Sequence, residues 1–320
     1  MTKTKTFKTH EYIKDMSSEE YHGTVGTFSS SQFKDLLDDE TIFIKKYILK
    51  EVEKEDVPAF DVGTYFHTGI LEPHKLKDDC VVYPGKIRRG KEWDTFKEQN
   101  KDKVIVTQSQ KDQAEGLIKC VRESVIAKGY LDGEPEVSLF TKISIHQGNI
   151  YAPHFKKRLT PGGWVESTLP ELSSSYNIVI KVRSDTLGKG YISDLKSTTG
   201  NAVSERSMRG KISDYSYDLS AALYLDMFSL MNPILADPIY KNGMKCSRFA
   251  WIFASKDFFN SKTYLATDIN ILVGRSKYTK ALLKMKTCAD NNWQIVDSLG
   301  VLDPLPHELE HLKPKDTDLL

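Results

Sequence analysis

Cysteine is scarce: four in 320 residues (Cys80, Cys120, Cys246 and Cys288), and no two are spaced as a zinc or redox pair. That excludes a disulfide scaffold and a zinc ribbon, and leaves idle or buried thiols suited to a reducing compartment. Net charge is also nearly absent. Lys+Arg total 45 and Asp+Glu 44, a balance of +1. The chain is no polycation, so any nucleic-acid site must come from local clustering. Long apolar runs are missing too. The longest, Phe249 to Ala254, has six residues, whereas a membrane-spanning helix needs about 20. The opening residues carry lysines with no apolar stretch behind them, which predicts no secretory leader. These absences together predict a cytoplasmic protein.

Hydrophobic residues make up 39% of the chain and charged residues 28%. That is enough apolar material for a real core and too little charge bias for disorder. No internal repeat or low-complexity tract occurs. Residues 1–25 are polar and read as a flexible N-terminal segment. Ser29-Ser30-Ser31 before Phe33, Leu36 and Leu37 is a capping run that opens an amphipathic helix. Further helices are expected over about 40–53, from Val62 to before Pro73, and over 108–128. Strands are expected at 136–140, 177–185 and 191–196, with 147–176 a long loop of Pro, Gly and Ser clusters. A long helix over 214–230, an apolar strand over 245–255 and a helix over 273–291 complete the pattern. Helices, strands, then helices again predict one α/β or α+β domain over 26–298. Residues 299–320 form a polar, proline-containing tail.

The chemistry concentrates in the hairpin Lys181-Val182-Arg183-Ser184-Asp185 … Ile192-Ser193-Asp194-Leu195-Lys196. Asp194 and Lys196 are two apart on a strand and share a face. Asp185 and Asp194 are nearly symmetric about Lys189-Gly190, so a tight hairpin sets them roughly opposite, with Cβ atoms about 4.5–5.5 Å apart. Two carboxylates that close repel unless a cation joins them. Mg²⁺ suits the position because it takes carboxylate oxygens and keeps places for water and phosphate. A neighbouring lysine holds water or neutralises developing charge. That combination is the chemistry of metal-assisted phosphodiester hydrolysis. The flanking apolar residues Ile178, Ile180, Val182, Ile192 and Leu195 argue for an interior hairpin, where charge needs a reason. The competing reading is a solvated sheet face with ordinary surface pairs.

This hairpin resembles the Asp…(Asp/Glu)-x-Lys core of the PD-(D/E)XK nuclease superfamily, and more closely the RecE-type exonucleases. The resemblance runs over roughly 25–295. Gly63-Thr64-Tyr65-Phe66-His67 with Leu71-Glu72-Pro73 is similar to that family's Gly-Thr-x-x-His…Leu-Glu-Pro helix. Arg89-Gly90-Lys91-Glu92-Trp93 resembles its Arg-Gly-Lys-x-Trp loop, and Tyr217 to Asp226 its Tyr-x-x-Gln-Ala-Ala-x-Tyr helix. The resemblance implies a restriction-endonuclease-like core, a mixed central sheet flanked by helices. It implies that His67, Asp185 and Asp194 bind metal, with Glu136 either a further acidic ligand or a group that supports the ligands from behind. Lys196 would position water, and Tyr224 would hold the lysine or a phosphate. It further implies 5′→3′ digestion of double-stranded DNA from its ends, leaving 3′ single strands for an annealing partner, by a ring-shaped homo-oligomer. Ser220 stands where the family has Gln, and the 147–176 stretch is longer than expected.

Lys86, Arg88, Arg89 and Lys91, followed by Trp93, read as a basic loop that grips DNA phosphates, with Arg183 a further contact. The same loop fits the start of a P-loop, but Glu92 replaces the hydroxyl that would bind Mg²⁺. His307-Glu308-Leu309-Glu310-His311 matches a zinc-protease pattern, yet Pro306 and Pro314 bracket it and no third ligand follows. A Mg²⁺-dependent exonuclease, with Mn²⁺ the other candidate metal, is therefore the expected function. A DNA-end-binding accessory protein and a structure-specific endonuclease are the alternatives.

Overall fold

The computed structural model describes residues 9–14, 16–52, 58–85, 87–231 and 247–295. The first elements are β1 (Glu11–Ile13), α1 (Ser18–His22), β2 (Thr27–Phe28), α2 (Ser30–Asp38) and α3 (Glu40–Phe43). Next come α4 (Pro58–Leu71), α5 (Leu76–Asp79), β3 (Cys80–Tyr83), α6 (Lys91–Gln99), β4 (Val104–Thr107), α7 (Gln108–Glu123) and α8 (Val125–Tyr130). The central strands follow: β5 (Glu134–His146), β6 (Asn149–Ala152), β7 (Lys157–Thr160), β8 (Gly163–Glu166), β9 (Tyr176–Gly188) and β10 (Tyr191–Thr198). The chain closes with α9 (Glu205–Asp214), α10 (Tyr217–Met231), β11 (Arg248–Ser255), β12 (Ser261–Leu265) and α11 (Asp268–Asp290).

The main sheet runs β12-β11-β10-β9-β5-β6-β7-β8, with β1 added to β5 and β2 to β9. It is mixed: β10 and β11 are parallel, while β5, β9 and β10 are antiparallel neighbours. Successive residues of β11 point to opposite faces. Phe249, Trp251 and Phe253 enter the larger core with α2, α10 and α11, and Ile252 and Ala254 enter a smaller core with α4 and α7. Both faces are thus covered, which explains the near-continuous apolar run of this strand. Each such side chain, fully buried, contributes about 1.5–3 kcal/mol. The α10–α11 contact depends on Gly274, where a Cβ would sit 1.9 Å from the Asp218 carbonyl oxygen.

Several expectations need correction. Part of the supposedly flexible 1–25 segment is built into the sheet: β1 pairs β5, and Tyr21 of α1 is buried. Residues 1–8 of that segment lie outside the described residues, as does the 299–320 tail with its His307–His311 pattern. The stretch 147–176 is not a long loop. It forms β6, β7 and β8, an antiparallel meander that widens the sheet. Its Gly and Pro residues occupy the turns, and four-residue strands between them are too short to show a period. The expected helix over 40–53 is α3 plus a π-helical turn that ends at Ile48. The helix expected over 214–230 is α10, which begins at Tyr217 because a left-handed Ser216, φ +46°, separates it from α9. Nothing in the residue types there signals the break.

Candidate active site

The β9–β10 hairpin turns through Lys189-Gly190, with Gly190 at φ +82°, a conformation only glycine adopts freely. Its register pairs Gly188 with Tyr191, Leu187 with Ile192 and Thr186 with Ser193, then stops. Asp185 and Asp194 occupy the next rung, where the strands part. On the other side of β9, Pro135 pairs Thr186 and Val137 pairs Ser184. Glu136 therefore lies level with Asp185, at φ +52°. Three adjacent strands bring Glu136, Asp185 and Asp194 to one rung.

Each acid has a distinct setting. The Leu195 N–H donates to Asp185 Oδ2 at 2.6 Å, so the freed backbone donor is satisfied by the acid itself. His67 Nδ1, from α4, lies 3.6 Å from the same oxygen. Burial raises the Asp185 pKa, and the neighbouring Asp194 charge adds to the rise against His67 and Lys196. Lys196 Nζ donates to Asp194 Oδ1 at 2.6 Å. Burial works against this ammonium, but Asp194 and Asp185 outweigh it and the Lys196 pKa is raised. Burial, then the charge of Asp185, push Glu136 up to about 8, although Arg183 Nη1 is 3.4 Å away. The sequence leaves Glu134 as open a candidate as Glu136. The structure separates them, because Glu134 pairs with Lys14 at 3.2 Å, away from this rung.

Helices close the site over Asp194 and Lys196. α2 begins with a capping box at Ser29, whose N–H donates to Gln32 Oε1 at 2.8 Å. That fixes Ser30, which lies beside Tyr224 of α10. Burial pushes the Tyr224 hydroxyl up to about 12, with Asp194 contributing. Tyr217, two turns back at the start of α10, has Lys196 Nζ 5.3 Å from its ring centroid. Ser220 is buried on the same helix. Lys34 is a residue that sequence reasoning missed. It lies one turn beyond Ser30, and its Nζ is 5.1 Å from the Tyr217 centroid. Burial, then the Lys196 charge, push Lys34 down to about 8. The available signal was the i, i+4 spacing from Ser30, which puts both on one face of α2.

The proposed DNA-gripping cations divide. Arg88 points inward: Nη1 reaches Asp61 Oδ2 at 2.6 Å, and Nη2 reaches Gln110 Oε1 at 2.8 Å and the Ile105 carbonyl. Its guanidinium also lies over Trp93. Arg183 is likewise engaged, donating to Ser138 Oγ at 3.0 Å and to the Met16 and Ser17 carbonyls. Both are corrected from phosphate contacts to internal ties, since their guanidinium groups are turned inward onto protein acceptors, although Arg88 Nε is buried without a partner. Arg89 and Lys91 are exposed. Lys86 lies outside the described residues.

Among the described residues, no group of three or more His, Cys, Asp or Glu side chains is placed so that it could hold a metal ion. The donor chemistry nevertheless fits a divalent cation. Asp185 and Asp194 supply hard oxygens, His67 an imidazole nitrogen, and Glu136 a carboxyl kept protonated only by burial and its neighbours. Among the described residues, no helix is long and apolar enough to cross a membrane.

No curated protein matches the sequence. A solved structure from Eubacterium rectale, described as a putative exonuclease, shares 15% identity, covers 90% of this chain and 97% of its own, and superposes with a TM-score of 0.48. Residues 29–149 match the family described as a PDDEXK-like domain of unknown function, a span that holds α2, His67 and Glu136 and stops short of the β9–β10 hairpin. The chain has a mixed α/β fold with its central sheet between two helical layers, and part of it is similar to a PDDEXK-like domain.

Proposed function

We propose that the protein is a Mg²⁺-dependent exodeoxyribonuclease that digests linear double-stranded DNA from its ends, 5′→3′, and leaves 3′ single strands for recombination. The observation that carries the reading is the convergence of Asp185, Asp194 and Lys196 at the parting of β9 and β10, with His67 and Glu136 beside them. Asp185, Asp194 and His67 would hold the metal, with Glu136 joining once its proton leaves. A divalent cation supplies charge for the phosphate and lowers the pKa of water. Lys196 stays protonated, so it orients water and offsets negative charge as the pentavalent phosphate forms. Asp194 holds that ammonium in place, and Tyr224 packs behind the pair. The polarity, the recombination role, an annealing partner and a ring-shaped homo-oligomer rest on the resemblance to RecE-type exonucleases.

The test is digestion of linear duplex labelled separately at its 5′ and 3′ ends, beside a closed circle, with Mg²⁺ or Mn²⁺. The reading expects early loss of the 5′ label and an intact circle. A cut circle would make the protein an endonuclease, and no metal-dependent cutting of either substrate would overturn the reading.

A further inference from the structure

The break between α9 and α10 builds something that the site described above does not use. Residues two apart on a continuous helix do not face one another. The left-handed Ser216 instead brings Tyr215 and Tyr217 into a stack, centroids 5.5 Å apart and planes 23° from parallel. Tyr217 is the inner ring, anchored against Phe253 and flanked by Lys34 and Lys196. Tyr215 is the outer ring. It is 54% exposed, and Lys211 Nζ stands over its ring, 5.6 Å from the centroid, where an incoming base would have to displace it. An exposed aromatic backed by a second ring and rimmed by ammonium groups is the combination that takes a base on its face and phosphates at its edge. Lys34 has no carboxylate at ion-pair distance among the described residues, and its burial favours an incoming anion.

We propose that Tyr215, backed by Tyr217 and flanked by Lys34 and Lys211, is a stacking platform for the unpaired base beside the phosphate presented to Lys196. The ligand is a single-stranded polynucleotide end, so a duplex end must fray before it is cut. The platform rests on the nuclease reading of the neighbouring acids. It accepts any base, because every base offers a ring face.

The test uses the full chain and a DNA strand of about twelve nucleotides with 2-aminopurine, which dims on stacking, at its end. Binding is measured without added divalent cation, and cleavage with Mg²⁺. The wild type and Tyr215→Trp should quench the fluorescent base on binding, and Tyr215→Ala should not. In cleavage, Tyr215→Ala should raise KM about ten-fold with kcat held within about two-fold, and Tyr215→Trp should restore KM. Lys34→Gln should reduce the slope of log affinity against log salt by about 0.7. Cleavage with a bound but unquenched base, or a KM indifferent to Tyr215→Ala, overturns the platform alone. Quenching without any cleavage overturns the nuclease reading and keeps the platform. A wild type that neither binds nor cuts overturns both.

Discussion

Two cationic regions of this molecule invite the same reading and behave differently. The loop around Arg88 packs its charges within a few residues of one another, and its central guanidinium is consumed by Asp61, Gln110 and a backbone carbonyl. The other region, Lys34, Lys196 and Lys211, joins α2 to the distant β10 and α9, and its ammonium groups gather around two tyrosine rings. Charge density along a sequence reports composition. What a ligand meets is the charge left over after the protein has used its own.

The contrast can be broken from either side. The largest effect is expected at the assembled site. Lys196→Ala or Asp194→Asn should lower kcat for linear duplex by about 100-fold or more, with circular dichroism and Tm showing a folded chain. Wild-type digestion rates in both variants would empty the site assignment.

Next is Arg88→Ala, which leaves Asp61 mostly buried without its partner. It should cost about 2 kcal/mol, read as a fall of several degrees in Tm, while DNA affinity below the transition changes little. An unchanged Tm with lost DNA binding would return Arg88 to the phosphate-gripping role. The exposed pair supplies the counterpart. Arg89→Ala with Lys91→Ala should leave stability within about 0.5 kcal/mol, and should weaken DNA binding in a salt-dependent way in filter or fluorescence titrations.

The smallest effect concerns Glu136. Its folded-state pKa of about 8 lies above its ordinary value of 4.5. The folded metal-free protein therefore binds this proton more tightly than the unfolded chain does. The stabilisation is complete below 4.5 and is lost as pH rises through about 8. Glu136→Gln should flatten that part of the stability-against-pH curve measured in chelator. Cation binding to the wild type near neutral pH should release protons, detectable in weakly buffered solution. A curve of the same slope in both proteins would argue that Glu136 is already ionised.

The acid-bearing hairpin was legible because strand alternation and a two-residue Lys189-Gly190 turn fix which residues share a rung. The sharing of that rung by Glu136 was not legible, since it depends on the long β5–β9 register. The meander over 147–176 escaped notice because it gains its stability from distant packing: Trp164 enters the larger core, and the Pro161 carbonyl accepts from Arg275 of α11 at 2.8 Å. Arg88 misled for a related reason, as Asp61 and Gln110 stand 27 and 22 residues away. Local pattern carries the strands and helices, while the fate of each charge is decided by tertiary neighbours.

The polar start of the chain has a consequence for anyone who shortens it. Lys181 Nζ donates to the Tyr21 carbonyl at 2.8 Å and to Thr24 Oγ1 at 3.0 Å, and Arg183 holds the carbonyls of Met16 and Ser17. A protein begun at residue 25 would strip both cations of these carbonyl acceptors and remove the Tyr21 ring over which both lie. One of them also steadies Glu136, so damage at the amino terminus would travel two strands inward to the acids themselves.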